Sequence, residues 1–541
     1  MLGLDEKAII SRTVLMGSIA IRQALEHANL DPRGKRIAVI NGTTVGGMDI
    51  TERYLLQMEE DDAMLPLIEK HDCGSSTREM ANLSGLKDAE ICTISTACSS
   101  AVNAVILASE MLQNNEADII IAGGTEALSL FHLNGFNSLM ILDKEQCRPF
   151  DKSRAGLNLG EGAAFVVLQN AESLTNEQTP FVFIRGYANR CDAFHQTASS
   201  EDGEGAYLAM CNALQMAGLK PQDIQYINAH GTGTPNNDAS ESAAIRRVFG
   251  ENIPPVSSTK SFTGHTTSAS GSIEVVICIL SLLSNFLPAN LGWKEKDESC
   301  ITPVPLQVPH KGEGQSHLLP FGEGREGAVL CNSFGFGGND SAVVIGKTPA
   351  PIQPSLKEEG FKPVTLGEVT ITDVEQLQEL REFVSLGEAR RMRGLMKAAT
   401  ITSLKALQAA GIESPDAIIT ATAFGMLETS EKFLVDMLKN GEETLSPTLF
   451  MQSTHNTLSS AIAIRTKCHG YNMTYTQGSD SLEWALRDAR RLIETGKART
   501  VLVGCHDEST PMLQEFFRRL GKPIPQTLYS RSIVLGKTPA V

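Results

Sequence analysis

The chain has 541 residues, 42% of them apolar, and a formal net charge of −16, so it can bury large cores but is poorly suited to non-specific binding of nucleic acid or an anionic membrane. No apolar run in the sequence reads as a membrane span, and the start, MLGLDEKAII, lacks the regions of a secretory signal, so the expectation is a cytoplasmic protein. Eleven cysteines without CxxC spacing suit a reducing compartment and argue against a disulfide framework or a zinc site; His71 and Cys73 in HDCG come nearest to a ligand pair and are too few.

Helical and β-branched segments alternate along the chain. GSIAIRQALEHANL precedes RIAVING, ADIIIAGG follows the helix after CTISTACSSAVNA, and GAYLAMCNALQMAGL precedes IQYINAHG. Such alternation predicts βαβ units with largely parallel sheets. Within CTISTACSSAVNA (92–104), Cys98 falls where a strand gives way to a helix. A helix N-terminus favours thiolate over thiol, so Cys98 is a candidate nucleophile; on this local pattern it is as readily a small buried cysteine.

Three later stretches sit at predicted strand ends: NAHGTGT with His230, STKSFTGHTTSASGSIEVV with Lys260 and His265, and the glycine-rich CNSFGFGGND around Phe336. With Cys98 they would offer a nucleophile, two imidazoles and backbone N–H groups for an oxyanion. The proline-rich stretch 346–363 reads as a linker. Beyond it the chain repeats itself: LMKAATITSLKALQAAGI (395–412) echoes TVLMGSIAIRQALEHANL (13–30), and ALRDARRLIETGKARTVLVG (485–504) echoes AVILASEMLQNNEADIIIAG (104–123). This spacing indicates duplication of a domain-sized unit.

TACSSA, RPFDKSRAGLNLGEGAA, DAFH, NAHGTGTPNND, KSFTGH and NSFGFGG, in this order, resemble the β-ketoacyl-acyl carrier protein synthases of the elongating Cys-His-His class. The resemblance implies an α/β, thiolase-like, five-layered αβαβα fold, with halves at 1–170 and 171–347, a linker at 348–363 and a further half unit at 364–541. It also implies decarboxylative condensation of malonyl-ACP onto an acyl group carried by Cys98, in fatty-acid or polyene-like biosynthesis, with acyl carrier protein as partner. His230 and His265 would stabilise the enolate. Lys260 and Glu274 would order the site, Phe336 would gate the acyl pocket and share an oxyanion hole with Cys98, and Thr232 and Thr234 would hold the carrier's phosphopantetheine. No metal or other cofactor is implied, and the family pairs as dimers. His265 separates this pattern from the initiating synthases, and the context of Cys331 separates it from thiolases, so Cys331 reads as structural.

The resemblance breaks in places. The family's opening strand, read as central to the first sheet, has no counterpart before the first helix, and PVTLGEVTITDV (363–374) is the one visible substitute. SRAG and GGND depart from the usual loops. In the second part Ser479, or Gln477 after a loop shift, takes the place of Cys98, as in the inactive chain-length factors that pair with active synthases. An alternative reading is therefore a non-catalytic subunit. The strand HGYNMTYT (469–476) should be covered, either by AEICTIS of the same chain or by a partner synthase.

Overall fold

A computed structural model describes residues 9–29, 33–174, 180–305, 327–350, 363–443 and 445–537. The alternating pattern folds as three copies of one unit. The first holds β1 (Ile37–Gly42), β2 (Glu90–Ile94), β3 (Ile119–Glu126) and β4 (Gly162–Leu168). The second holds β5 (Phe183–Cys191), β6 (Ile224–Asn228), β7 (Val256–Ser257), β8 (Ala328–Gly335) and β9 (Asn339–Gly346). The third holds β10 (Pro363–Ile371), β11 (Ala417–Ala421), β12 (Tyr471–Tyr475), β13 (Thr500–Glu508) and β14 (Leu528–Lys537).

In each copy a central strand has two parallel neighbours, β1 between β2 and β3, β6 between β7 and β8, and β11 between β12 and β13. An antiparallel strand follows on one side. Parallel strands need helical crossovers, which is why strand and helix periods alternate in the sequence. The helices Ser100–Gln113 and Ser270–Ser284 pack on each other and on both the first and second units' sheets. The second of these, with Thr267 onward, forms an 18-residue window of mean hydropathy 1.6, long and apolar enough for a membrane span by composition; 61% of that window is buried inside the fold.

The strand order corrects one expectation. A unit's opening strand is an edge strand, not a central one: among the described residues β5 pairs only with β9, and β10 only with β14. The stretch 363–371 therefore completes its own unit and leaves β4, whose one pairing among the described residues is with β3, at the end of the sheet. Most of the segment read as a linker lies outside the described residues.

The first and third units join edge to edge. β12 runs antiparallel to β2 through the Tyr475–Ile94 pair, extended by Ser95 N–H to Thr474 O at 3.0 Å and Thr476 N–H to Thr93 O at 3.0 Å. One nine-stranded sheet results, in the order β10-β14-β13-β11-β12-β2-β1-β3-β4. Met473 and Tyr475 are fully buried in a core shared by both units, each burial stabilising by roughly 1.5–3 kcal/mol. The internal pseudo-dimer is thus the arrangement adopted. Charges lock it: Arg487 and Arg491 of the third unit reach Glu116 of the first at 2.7 and 3.0 Å, and Arg491 also holds the buried Asp488, whose Oδ2 accepts the hydroxyls of Tyr471 and Tyr475.

Arg491→Ala should leave Asp488 as an uncompensated buried charge and destabilise the protein by about 3–5 kcal/mol. Urea unfolding checks this. Adding Asp488→Asn should recover part of the loss.

Candidate active site

Cys98 lies on a single 3-10 turn, Ala97–Ser99, between β2 and the helix Ser100–Gln113. Ala97 before it has φ 53°, a left-handed conformation that costs a non-glycine residue roughly 1–3 kcal/mol. The Ser100 hydroxyl accepts the Thr96 N–H at 2.8 Å and fixes the turn. The helix presses close on β1: a Cβ on Gly42 would lie 2.5 Å from the Ala101 nitrogen.

The third unit repeats the turn without its chemistry. Gly478 has φ 60°, and Ser481 Oγ accepts the Gln477 N–H at 2.8 Å. Ser479 therefore stands at the position of Cys98, and Gln477 at that of Thr96. Ser479 is exposed, and its hydroxyl donates to the adjacent Asp480. Relaxation of the strained alanine to glycine accompanies the loss of the thiol.

His265 approaches Cys98, and His230 stands beside His265. His265 Nε2 is 3.1 Å from the Cys98 sulfur, and its Nδ1 is 2.8 Å from Ser270 Oγ. His230 follows β6, and its ring stands edge-on to that of His265, with centroids 5.4 Å apart. Glu241 fixes the His230 turn by accepting the N–H groups of His230 and Gly231 at 2.9 and 2.8 Å. Lys260 Nζ donates to the His230 carbonyl, lies 3.4 Å from its Nδ1, and pairs with Glu274. Cys98, His230, Lys260, His265 and Glu274 are all buried.

Burial decides the protonation states. It pushes the Cys98 thiol up to about 12, against the opposing pull of Lys260 and the Phe336 N–H. This upward push opposes the activation expected from the helix terminus. Burial, reinforced by Lys260, drives both imidazoles well below their ordinary value, so they stay neutral. A neutral His265 can accept the thiol proton at Nε2, or present Nε2–H after a tautomer change, because the Ser270 hydroxyl can either accept from or donate to Nδ1.

Phe336 occupies the β8–β9 hairpin, stacks on Phe136 at 5.8 Å, and directs its N–H at Cys98. Thr232 and Thr234 hydrogen-bond each other at 2.9 Å. Cys331 is fully buried in an apolar core, consistent with a structural part. His71 and Cys73 belong to no potential metal cluster among the described residues.

Two supporting residues, Glu126 and Asp507, lie outside the motifs. Glu126 accepts hydroxyls from Thr43 at 3.0 Å and from Thr267 at 3.0 Å, and so ties the loop after β1 to the loop that carries His265. Its counterpart Asp507 accepts Thr422 Oγ1 at 2.8 Å and the Ala423 N–H at 2.7 Å. Comparing the ends of β3 and β13 would have found this pair.

Iodoacetamide modification of Cys98 should be slow at neutral pH and should keep rising beyond pH 9, because the thiol form dominates below about 12. A rate profile with the peptide mapped by mass spectrometry tests this. A plateau at the ordinary thiol value of about 8.5 would contradict it.

Family models for the β-ketoacyl synthase N-terminal domain match residues 3–173 and again 372–537, and the model for the β-ketoacyl synthase C-terminal domain matches residues 181–294. A 3-oxoacyl-[acyl-carrier-protein] synthase 2 from Synechocystis sp. is 35% identical over 348 residues, 61% of this chain and 80% of the relative. Among solved structures, the ishigamide ketosynthase/chain length factor superposes with TM-score 0.57 at 30% identity, over 63% of this chain and 83% of that one. The PfaC keto synthase-chain length factor shares the fold over 98% of this chain and 70% of its own, with TM-score 0.77 at 16% identity. With His265 against Cys98, His230 beside it and the N-terminal domain present twice, the chain belongs to the β-ketoacyl synthase family.

Proposed function

We propose that the protein is a β-ketoacyl-ACP synthase that carries a catalytically silent partner unit in the same polypeptide. The observation that carries this reading is the 3.1 Å approach of His265 Nε2 to the Cys98 sulfur, with His230 beside it.

In the first half-reaction the Cys98 sulfur attacks the carbonyl of a carrier-bound acyl thioester. Its proton passes to His265 Nε2 and on to the departing phosphopantetheine thiolate, so no free Cys98 thiolate accumulates. The N–H groups of Cys98 and Phe336 hold the tetrahedral oxyanion. Thr232 and Thr234 hold the pantetheine arm. Malonyl-ACP then loses carbon dioxide, and the charge left on its thioester oxygen is stabilised by Nε2–H donors of His230 and His265. The enolate carbon attacks the Cys98 thioester, the new C–C bond forms as the C–S bond breaks, and the departing sulfur takes up one proton from solvent. Lys260, paired with Glu274, sets the orientation of His230 and keeps it neutral. The reaction draws on no metal or redox cofactor.

The third unit takes the part of a chain-length factor. Apolar residues of the first and third units build one cluster against which Phe336 packs, and a small pocket between them is lined by Met48, Leu55 and Ile68 on one side and Leu434, Leu513 and Phe516 on the other. The pairing that such enzymes make between subunits is made here within the chain, which acts on carrier-bound substrates in the cytoplasm. We assign the reaction to fatty-acid or aryl polyene-like biosynthesis, the former supported by the likeness to 3-oxoacyl-[acyl-carrier-protein] synthase 2. The alternative, a non-catalytic subunit, applies to the third unit but not to the first two, whose triad is complete.

Cys98→Ala should abolish acylation by an acyl-ACP, read by intact-protein mass spectrometry; an undiminished adduct on the variant would refute the nucleophile. His230→Ala and His265→Ala should each slow carbon dioxide release from malonyl-ACP by about 100–1,000-fold. Leu434→Trp should shorten the longest acyl-ACP accepted while Cys98 still acylates with short donors, as followed by gel shift of the carrier.

A further inference from the structure

The third unit does more than cover an edge: it reaches into the hairpin that faces Cys98. The loop Phe336–Gly338 joins β8 to β9. Its Phe336 carbonyl accepts Asn456 Nδ2 at 2.8 Å, and its Gly337 carbonyl accepts Ser460 Oγ at 2.9 Å. Asn339, the first residue of β9, donates from Nδ2 to the Asn472 carbonyl of β12 at 2.6 Å. All three partners, Asn456, Ser460 and Asn472, belong to the third unit, and all are buried.

The other end of this brace is the nucleophile turn. Asn339 Oδ1 accepts Ser99 Oγ at 2.8 Å and Asn103 Nδ2 at 2.9 Å, so the residue next to Cys98 and the helix behind it are tied to the same amide. Asn189 Nδ2 reaches that oxygen at 2.9 Å, and Asn189 Oδ1 in turn accepts the Asn472 N–H at 2.7 Å, which closes a ring through β5, β9 and β12. The fit is close: a Cβ on Gly337, at φ 87°, would lie 2.9 Å from both Asn456 Nδ2 and Ser460 Cβ. The Phe336 peptide thus has its carbonyl held by the third unit while its N–H points at Cys98.

We propose that Asn456 is a positioning residue, through which the third unit holds the Phe336 hairpin and so sets the oxyanion donor against Cys98. This inference rests on the ketosynthase reading of the same site. The brace acts on acyl transfer, which uses the Phe336 N–H, and not on decarboxylation, which uses the two histidines. A merely structural Asn456 would affect both alike.

The test uses the full chain with Asn456→Asp, which puts an acceptor where the donor stood, and with Ser460→Ala, a milder change that keeps the test alive if the first variant folds poorly. Hydrogen–deuterium exchange over peptides spanning 334–340 should accelerate by about fivefold for each lost bond, with the remaining peptides unchanged. The rate of Cys98 acylation by an acyl-ACP should fall by about fivefold or more, while carbon dioxide release from malonyl-ACP in the absence of acyl donor stays within threefold of the parent. Unchanged hairpin exchange in both variants would overturn the brace, whether or not the protein condenses acyl chains. An equal fall in both half-reactions, with a lowered melting temperature, would overturn the positioning role. A parent that neither acylates nor releases carbon dioxide would instead overturn the ketosynthase reading, and the exchange data would still decide the brace.

Discussion

The antiparallel contact between β12 and β2 is the interaction on which the remaining architecture depends. Each strand is the outermost parallel strand of its own unit, and left alone each would present a row of unmet N–H and C=O groups beside an apolar face. Pairing removes both edges at once. It also brings the helices Ser100–Gln113 and Ser481–Glu494 into one core. Because β2 leads directly into the Cys98 turn, the same contact that builds the sheet also sets the floor of the active site: Ser95, three residues before the nucleophile, is bonded to Thr474.

The three copies show how one local geometry serves different ends. Each has a strand, a residue with positive φ and a helix: Ala97 at 53°, Thr267 at 44° and Gly478 at 60°. In the first copy the turn presents the thiol. In the second it lies just beyond His265, and the hydroxyls of Thr267 and Ser268 face Glu126. In the third it faces solvent with a serine. The chemistry comes from stacking the first two copies face to face, and among the described residues no further copy stacks on the third in that way.

Much of this was legible in the sequence because the informative residues are local. Cys98 announces itself by the change from strand to helix period, and the motifs around His230, His265 and Phe336 lie at strand ends where side chains converge. The repeat was visible because Trp484 and its helix preserve the spacing of the Ser100–Gln113 helix without a gap. Sheet order was not legible, since nothing in the run 363–371 tells whether it lies at the centre or the edge of a sheet; the edge position emerges only from its pairing with β14. The environment of the Cys98 thiol was hidden for a similar reason: a helix terminus can be read from sequence, but burial among distant segments cannot. Asn103, Asn189 and Asn339 read as unremarkable polar residues, and their common purpose appears only when three strands and a helix are assembled.

Carrying β2 and β12 on one polypeptide changes the law the assembly obeys. Two separate subunits joined along an edge would come apart on dilution below their dissociation constant, and the nucleophile turn would lose its neighbour with them. When both strands belong to one chain the encounter is intramolecular, governed by an effective concentration that dilution does not alter. The stability of the joined sheet is then independent of how much protein the cell makes, and the active and silent units are always present in equal number.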